Sequence, residues 1–363
     1  MNKKKLIAAM ASVAVVATLF AGCASKSNDN KSTTDNSSST KKVMVGLSTD
    51  EGGLNDKSFN QAADTGLKKA ASELNFTYKA VESKSKDDYE SNLDALVSEG
   101  SNLVVGVGFQ MSDAVTNAAK KHKDTNFAIV DSAVDASNVR SILFKEQDGS
   151  FLMGIIAGKM AGTGKVGFVG GKDQELIQKF EAGFAAGVKA VNPTAAEDLI
   201  GRKTVQYVDS FTDAAKGKEA AKNLINAGCT VIYHAAGGAG EGMFQAVQEA
   251  NKNGKKVWAI GVDMDQAVTL PQYADIILSS MIKKVDFATY QAGKDIVNNS
   301  FKGGTVELGL KEGGIDIAGT SSKNTPKDVL DLVAKYQAAV KDGKIVVPTK
   351  PADVKSFSPA AVQ

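Results

Sequence analysis

The chain has 363 residues, with 43 lysines and arginines against 41 aspartates and glutamates and a formal net charge of +2. Charges of both signs are interleaved along it, so there is no basic stripe of the kind that follows a phosphate backbone, and nucleic acid is excluded as a partner. Its length exceeds one typical core, so two lobes are expected.

Lys3, Lys4 and Lys5 precede an apolar run from Leu6 to Phe20, and the small residues Ala21 and Gly22 lead into Cys23. This is the layout of a bacterial signal peptide over residues 1–22, and the run is too short for a convincing membrane span. "LFAGCAS" resembles a lipobox, in which the cysteine becomes the lipid-modified N-terminus; Phe20 stands where leucine is common, with Leu19 one place earlier. Cys23 is therefore the expected lipidation site, and the expected location is the extracytoplasmic face of the cell membrane, held by a lipid anchor. Residues 25–42 contain no apolar side chain and cannot bury enough surface to fold. Residues 23–42 thus read as the lipidated cysteine and a disordered tether. Cys229, the other cysteine, heads "CTVIYHA" and reads as a small core residue.

From residue 43 onward short apolar runs alternate with amphipathic stretches. The strand candidates are "VMVGLS" (43–48), "FTYKAV" (76–81), "LVVGV" (103–107), "FAIV" (127–130), "VGFVG" (166–170), "TVQYV" (204–208), "TVIYHA" (230–235), "VWAIGV" (257–262) and "DIILSSM" (275–281). Helical patterns such as "AAKGKEAAKNLINAG", closed by Gly228, lie between them. "SFNQ" (58–61) reads as a capping box, with the Ser58 hydroxyl as N-cap and the Gln61 amide reaching back. The alternation predicts an α/β fold with parallel sheets flanked by helices.

Nearly every strand ends in a polar, aromatic or glycine-rich feature. In the first half these are Asp50, Phe109, Asp131 and Gly170-Gly171. In the second they are Ser210-Phe211, Gly237-Gly238-Ala239-Gly240, Asp263 and Lys283. Ligands of open α/β sheets bind beyond the carboxyl ends of the strands, so two sheets facing each other across a cleft would bring these residues together.

Enzymatic motifs fail on spacing. "GVGFQM" and "GGAGEGM" place methionine where the third glycine of a dinucleotide fingerprint belongs. "GTGKV" lacks the rest of a phosphate loop. His122 and His234 have no metal-ligand spacing around them, and no nucleophile elbow or zinc-protease helix is present. The reading is a non-enzyme with no catalytic residues, no cofactor and no metal.

Taken as a set, the lipobox, "TDEGGLNDKSFNQ" (49–61), "KFEAGFAAG" (179–187), "HAAGGAGEG" (234–242), "GVDMDQ" (261–266) and "SMIKKVD" (280–286) resemble the basic membrane protein family of bacterial substrate-binding lipoproteins. Within it they are most similar to the purine nucleoside receptors that serve ABC transporters. The resemblance covers essentially residues 43–345. It implies a two-lobed type I periplasmic-binding-protein fold, each lobe a parallel sheet flanked by helices, joined by three crossing hinge strands. Residues 43–145 with about 267–300 would form the N-terminal lobe, and 146–266 with about 301–363 the C-terminal lobe. The implied ligand is a nucleoside of the adenosine, guanosine and inosine class, the implied partner an ABC transporter permease, and the expected state a monomer.

Position by position, the resemblance implies that Phe59 stacks on the base, with Phe180 opposite it and Phe211 and Tyr233 as alternatives. Asp50 and Asp131 would accept from base N–H groups, with Asn60 assisting. Asp263 would accept from ribose hydroxyls, Gly237 and Gly238 would give backbone contacts, and Lys283 would donate to the sugar. Ala239 stands where many relatives carry threonine. A nucleoside has a π-face and many donors, and its complement is aromatic rings with carboxylates and an ammonium.

Each residue also has a plainer role open to it. Phe59 fits a hydrophobic staple. Of Phe180 and Phe184, four apart on one stripe, one is expected in the core. Asp131 and Asp263 fit helix caps, Lys283 beside Lys284 fits a solvated helix start, and Gly237 to Gly240 fit a tight turn. Asp56 reads as a cap or turn partner of the Ser58 box. Among functions, a sugar or autoinducer receptor of the same fold stays open. So does a nucleoside hydrolase, although "GVDMDQ" supplies only Asp263 and Asp265, on opposite faces if extended.

Overall fold

The apolar runs fold as strands, those in the middle of each sheet buried on both faces. In the first half β1 (Met44–Thr49), α1 (Phe59–Leu74), β2 (Thr77–Val81), α2 (Asp88–Ser98), β3 (Leu103–Val107), α3 (Ser112–Lys121), β4 (Asn126–Val130) and β5 (Val139–Phe144) follow one another. The second half continues with α4 (Glu146–Met160), β6 (Lys165–Gly170), α5 (Glu175–Val191), α6 (Pro193–Ile200), β7 (Val205–Tyr207), α7 (Ala214–Asn226), β8 (Cys229–Ala235), α8 (Gly240–Lys252), β9 (Trp258–Asp263), α9 (Gln266–Thr269) and β10 (Ile277–Lys283). The chain closes with α10 (Val285–Val297), β11 (Gly304–Leu308), β12 (Ile315–Ile317) and α11 (Lys327–Lys341). This computed structural model describes residues 42–359 and Val362; the expected signal peptide, Cys23 and the tether up to Lys41 lie outside the described residues.

Two six-stranded sheets result, ordered β11-β5-β4-β3-β1-β2 and β12-β10-β9-β8-β6-β7. Strand for strand the second repeats the first: β6 stands where β1 does, β8 where β3 does, β9 where β4 does and β10 where β5 does. All pairings are parallel except that of β10 with β12. Every residue of β3 is buried, which a parallel strand covered by helices on both faces requires. Strand order reverses between β1 and β3 and again between β6 and β8, so each sheet opens a crevice at its carboxyl edge there.

The lobes are apportioned differently from the sequence expectation. Residues 277–283, placed there with the first lobe, form β10 of the second sheet, paired with β9. The helix after it, α10, does return to the first lobe, where Thr289 Oγ1 donates to Ala63 O at 3.0 Å. Residues 304–308, placed with the second lobe, form β11 of the first sheet, paired with β5. The reason is that β11 is an edge strand exposed along nearly its whole length, so its hydropathy carries no strand signal. Strands β5 and β12 also have no counterpart among the sequence candidates.

The chain therefore passes between lobes three times, at residues 144–146, 283–285 and 308–315. The passages are bonded to one another: Lys145 N–H donates to Leu308 O at 3.1 Å and Lys284 N–H to Gly314 O at 2.8 Å. The helices flanking the hinge pack without slack. Helix α4 is buried almost throughout and meets α5 through glycines; a Cβ on Gly187 would stand 2.0 Å from Phe151 O, and one on Gly154 2.2 Å from Phe184 O.

Candidate functional site

The carboxyl ends of the two sheets face each other across a cavity that holds about 570 Å³ of non-atom space, open solvent at its mouth included. Asp50, Phe59, Asn60, Asp131, Phe180, Gly237, Asp263 and Lys283 all line it. Gly238 is not among the lining residues; its backbone packs toward Phe211 O and Asp56. Of the alternative aromatics, Phe211 lines the cavity. Tyr233 does not: it is fully buried within the second lobe, its hydroxyl 3.0 Å from Ser150 Oγ. Phe184 is the core member of its helical stripe, tilted against Tyr233 with centroids 4.9 Å apart. Sequence reasoning did not nominate Asp56, Phe109, Leu176, Ile177 or Val262, which also line the space. Phe109 follows β3 and was visible as a strand-end feature, whereas Leu176 and Ile177 carried no signal beyond helix periodicity.

The first turn of α1 is built differently from a capping box. Among the described residues Ser58 makes no side-chain cap bond and Gln61 Oε1 has no hydrogen-bond partner. The Asp56 carboxylate does the capping, accepting from Ser58 N–H at 3.0 Å, Asn60 N–H at 2.8 Å and Gln61 N–H at 3.0 Å. A charged acceptor outcompetes a hydroxyl for these amides. The Ser58 hydroxyl is left to donate across the cleft to Asp263 Oδ2. Asn60 Nδ2 donates to Asp50 Oδ1 at 2.8 Å, and Asn60 Oδ1 is buried with no partner among the described residues.

Asp131 and Asp263 occupy equivalent places, at the ends of β4 and β9. Both hold a left-handed backbone, with φ of 69° and 64°, a conformation that costs on the order of 1–3 kcal/mol at a non-glycine residue. Between them lies Lys283, 2% exposed. Its Nζ is 2.5 Å from Asp131 Oδ2 and 3.0 Å from Glu146 Oε1. The same ammonium lies 5.1 Å from the Phe59 ring centroid, 5.1 Å from that of Phe144 and 5.6 Å from that of Phe180, within cation–π range of each. Lys283 is thus a buried cation rather than a solvated helix start.

Burial dominates the titration of this site. It pushes the Asp263 carboxyl up to about 7, against the pull of Lys283 and the Ser58 hydroxyl. It pushes Asp131 up to about 6, with Lys283 opposing and Glu146 reinforcing, and Asp56 up to about 6 despite its three amide donors. Asp50 is raised by the same desolvation. Burial works against the charge on Lys283, but Asp131, Glu146 and Asp263 outweigh it and hold the ammonium above the ordinary lysine value. Among the described residues no group of three or more His, Cys, Asp and Glu is arranged to hold a metal ion.

The lobes also touch directly around the mouth. Lys172 Nζ donates to Gln110 Oε1 at 2.7 Å, Thr269 Oγ1 donates to Lys57 O at 3.3 Å, and the Phe109 and Phe211 rings meet edge to face at 6.1 Å. The two lobes are thus in direct contact around the cavity mouth.

Residues 42–350 match the Bmp family, described as "ABC transporter substrate-binding protein PnrA-like". The chain belongs to the Bmp family. It is 39% identical to the CD4+ T-cell-stimulating antigen of Listeria innocua, over 97% of this chain and all of that one. It is 36% identical to the ABC transporter nucleoside-binding protein BmpA of Lactococcus lactis, over 96% of this chain and all of that one. A crystal structure of an ABC transporter solute-binding protein from Aeropyrum pernix superposes with a TM-score of 0.76 at 30% identity, covering 86% of this chain and 96% of that one. An arabinose-binding protein from Geobacillus stearothermophilus, 16% identical with a TM-score of 0.56, shares the fold. This Bmp-family chain is an ABC transporter substrate-binding protein with the type I periplasmic-binding-protein fold.

Proposed function

We propose that this Bmp-family protein captures nucleosides, purine nucleosides foremost, between its lobes and delivers them to an ABC transporter permease, as a monomer anchored to the extracytoplasmic membrane face through a lipid on Cys23. One observation carries the reading: an aromatic ring from each lobe, Phe59 and Phe180, lines the same cavity as four carboxylates and one ammonium. Rings on two sides suit a flat base, and stacking on a base contributes about 1–3 kcal/mol per aromatic whichever base it is. The acceptors then select for donors. In this reading Asp50 and Asp131 receive base N–H groups with Asn60 assisting, while Asp263 accepts from the ribose hydroxyls and Lys283 donates to them. Four acidic side chains against one lysine repel a phosphate, so nucleosides fit and nucleotides do not.

Closure is the functional event in this reading. A guest held by both lobes stabilises the closed state by its differential affinity for it, and the permease recognises that state. The 36% identical relative named as a nucleoside-binding protein supports the ligand class. No chemistry is performed on the guest.

Titration calorimetry with adenosine, guanosine, inosine and ribose tests the reading. A purine nucleoside is expected to bind most tightly; ribose binding more tightly than any nucleoside overturns it in favour of a sugar receptor. Release of hypoxanthine from inosine would instead make the protein a hydrolase. Deletion of the protein is expected to abolish uptake of labelled nucleoside.

A further inference from the structure

Glu146 does not line the cavity, yet it is fully buried beside Lys283, the only lysine lining it among the described residues. It opens α4 immediately after the first passage between lobes, and Lys283 ends β10 immediately before the second. Its Oε1 stands 3.0 Å from Lys283 Nζ, and its Oε2 stands 3.4 Å from Nζ of Lys179, the neighbour of Phe180 on α5. We propose that Glu146 is a positioning residue: it holds the Lys283 ammonium, within the second lobe, at the place where it meets a ligand's hydroxyls.

Three features of the site support this. Lys283 has two close partners on opposite sides of the hinge, because Asp131 follows β4 of the first sheet whereas Glu146 belongs to the second lobe. With Asp131 alone, the 2.5 Å pair would draw the ammonium toward the first lobe and saturate the carboxylate that a ligand must share. Second, Glu146 Oε1 has no well-directed hydrogen bond besides its ion pairing, and a buried charge of this kind contributes little to stability compared with an apolar side chain of similar volume. Third, Glu146 and Lys283 belong to the same lobe while Asp131 belongs to the other, so parting the lobes draws Asp131 away and leaves Glu146 as the ammonium's close partner. The ammonium then stays placed for an incoming ligand when the lobes are apart.

The inference rests on the nucleoside reading for its ligand and on nothing but the hinge geometry for its lysine, so it has a readout for each. Wild type, Glu146→Gln and Glu146→Asp are compared by calorimetry with inosine and 2′,3′-dideoxyinosine. Loss of one charge-assisted contact amounts to roughly a tenfold loss of affinity, so Glu146→Gln is expected to weaken inosine about tenfold while leaving dideoxyinosine nearly unchanged. Glu146→Asp, which keeps the charge, is expected to fall between. Parallel weakening of both ligands, or none, overturns the proposal. In ligand-free protein labelled with ¹⁵N-lysine, the Lys283 ammonium, assigned by its absence in Lys283→Met, is expected to be protected from solvent exchange in wild type and exposed in Glu146→Gln. Equal protection in the two overturns the proposal as well. If wild type ignores inosine, the nucleoside reading falls, and the ammonium measurement still decides the role of Glu146. Should Glu146→Gln not fold, Glu146→Asp carries both measurements, with partial loss expected and wild-type behaviour overturning the proposal.

Discussion

Lys283 in the second sheet and Asp131 at the end of β4 in the first form an ion pair of 2.5 Å across the hinge, both almost wholly removed from water. Breaking such a pair leaves a buried carboxylate without its counter-charge, which costs about 3–5 kcal/mol. Lys283→Met is therefore expected to lower the urea midpoint markedly and to abolish nucleoside binding. An unchanged midpoint would mean that water already compensates Asp131.

Phe59 is half-buried at the cavity wall, whereas Phe184 is wholly enclosed against Tyr233. Phe59→Ala is expected to weaken nucleoside binding on the order of tenfold or more, the loss of one stacking surface, with little change in thermal midpoint. Phe184→Ala is expected to lower stability by about 3–5 kcal/mol through the cavity it leaves. Calorimetry and thermal melts of the two variants separate the roles; an unchanged dissociation constant for Phe59→Ala returns that ring to the core.

Burial pushes the Asp263 carboxyl up to about 7 and that of Asp131 up to about 6. A ligand that donates hydrogen bonds to these carboxylates favours their charged forms, so its binding lowers both values and releases protons. Affinity is then highest above pH 7 and declines as the pH falls through about 7 to 6. Calorimetry at pH 6.5 in two buffers of different ionisation enthalpy is expected to show proton release; proton uptake would mean that the ligand meets neutral carboxyls.

The same raised carboxyls act on folding with the opposite preference. Groups whose folded value lies above the unfolded one, among them the four carboxyls of Asp56, Asp131, Asp148 and Asp263, contribute stability that is complete below about pH 4 and is lost as the pH rises through 6 to 7. His234, pushed down to about 4 by burial, opposes them, its contribution being complete above about pH 6.5 and lost as the pH falls through 4. With four carboxyls against one imidazole, the ligand-free protein is expected to melt higher at pH 5.5 than at pH 8, and Asp263→Asn is expected to flatten that difference.

Lys189 Nζ donates to three backbone carbonyls of the C-terminal segment, those of Val354, Lys355 and Phe357, at 3.0, 2.8 and 2.7 Å. Hydrogen bonds from a charged group contribute about 1.5–3 kcal/mol, so Lys189→Met is expected to loosen the tail without touching the cleft. Limited proteolysis near residues 351–357 should accelerate while nucleoside affinity stays the same.

Much of this protein was written locally. Alternating apolar runs and helical stripes gave the two-lobed α/β fold, because strand and helix periodicities depend only on neighbours a few residues away. The strand-end rule brought Asp50, Asp131, Asp263 and Lys283 forward, since ligands meet open sheets at their carboxyl edges. What local pattern could not carry was decided by contacts between distant segments. The edge strand β11 looks like loop because its faces are exposed, and it joins the first sheet only through its pairing with β5. Ser58 has the sequence of a cap, yet its hydroxyl goes to Asp263, 205 positions away, because a nearer carboxylate, Asp56, takes the amides. Glu146 was invisible as a site residue, since nothing in its neighbourhood marks it. Only the convergence of the passages at 144–146 and 283–285 sets its carboxylate against Lys283, and burial of that pair is a property of the assembled lobes rather than of either segment.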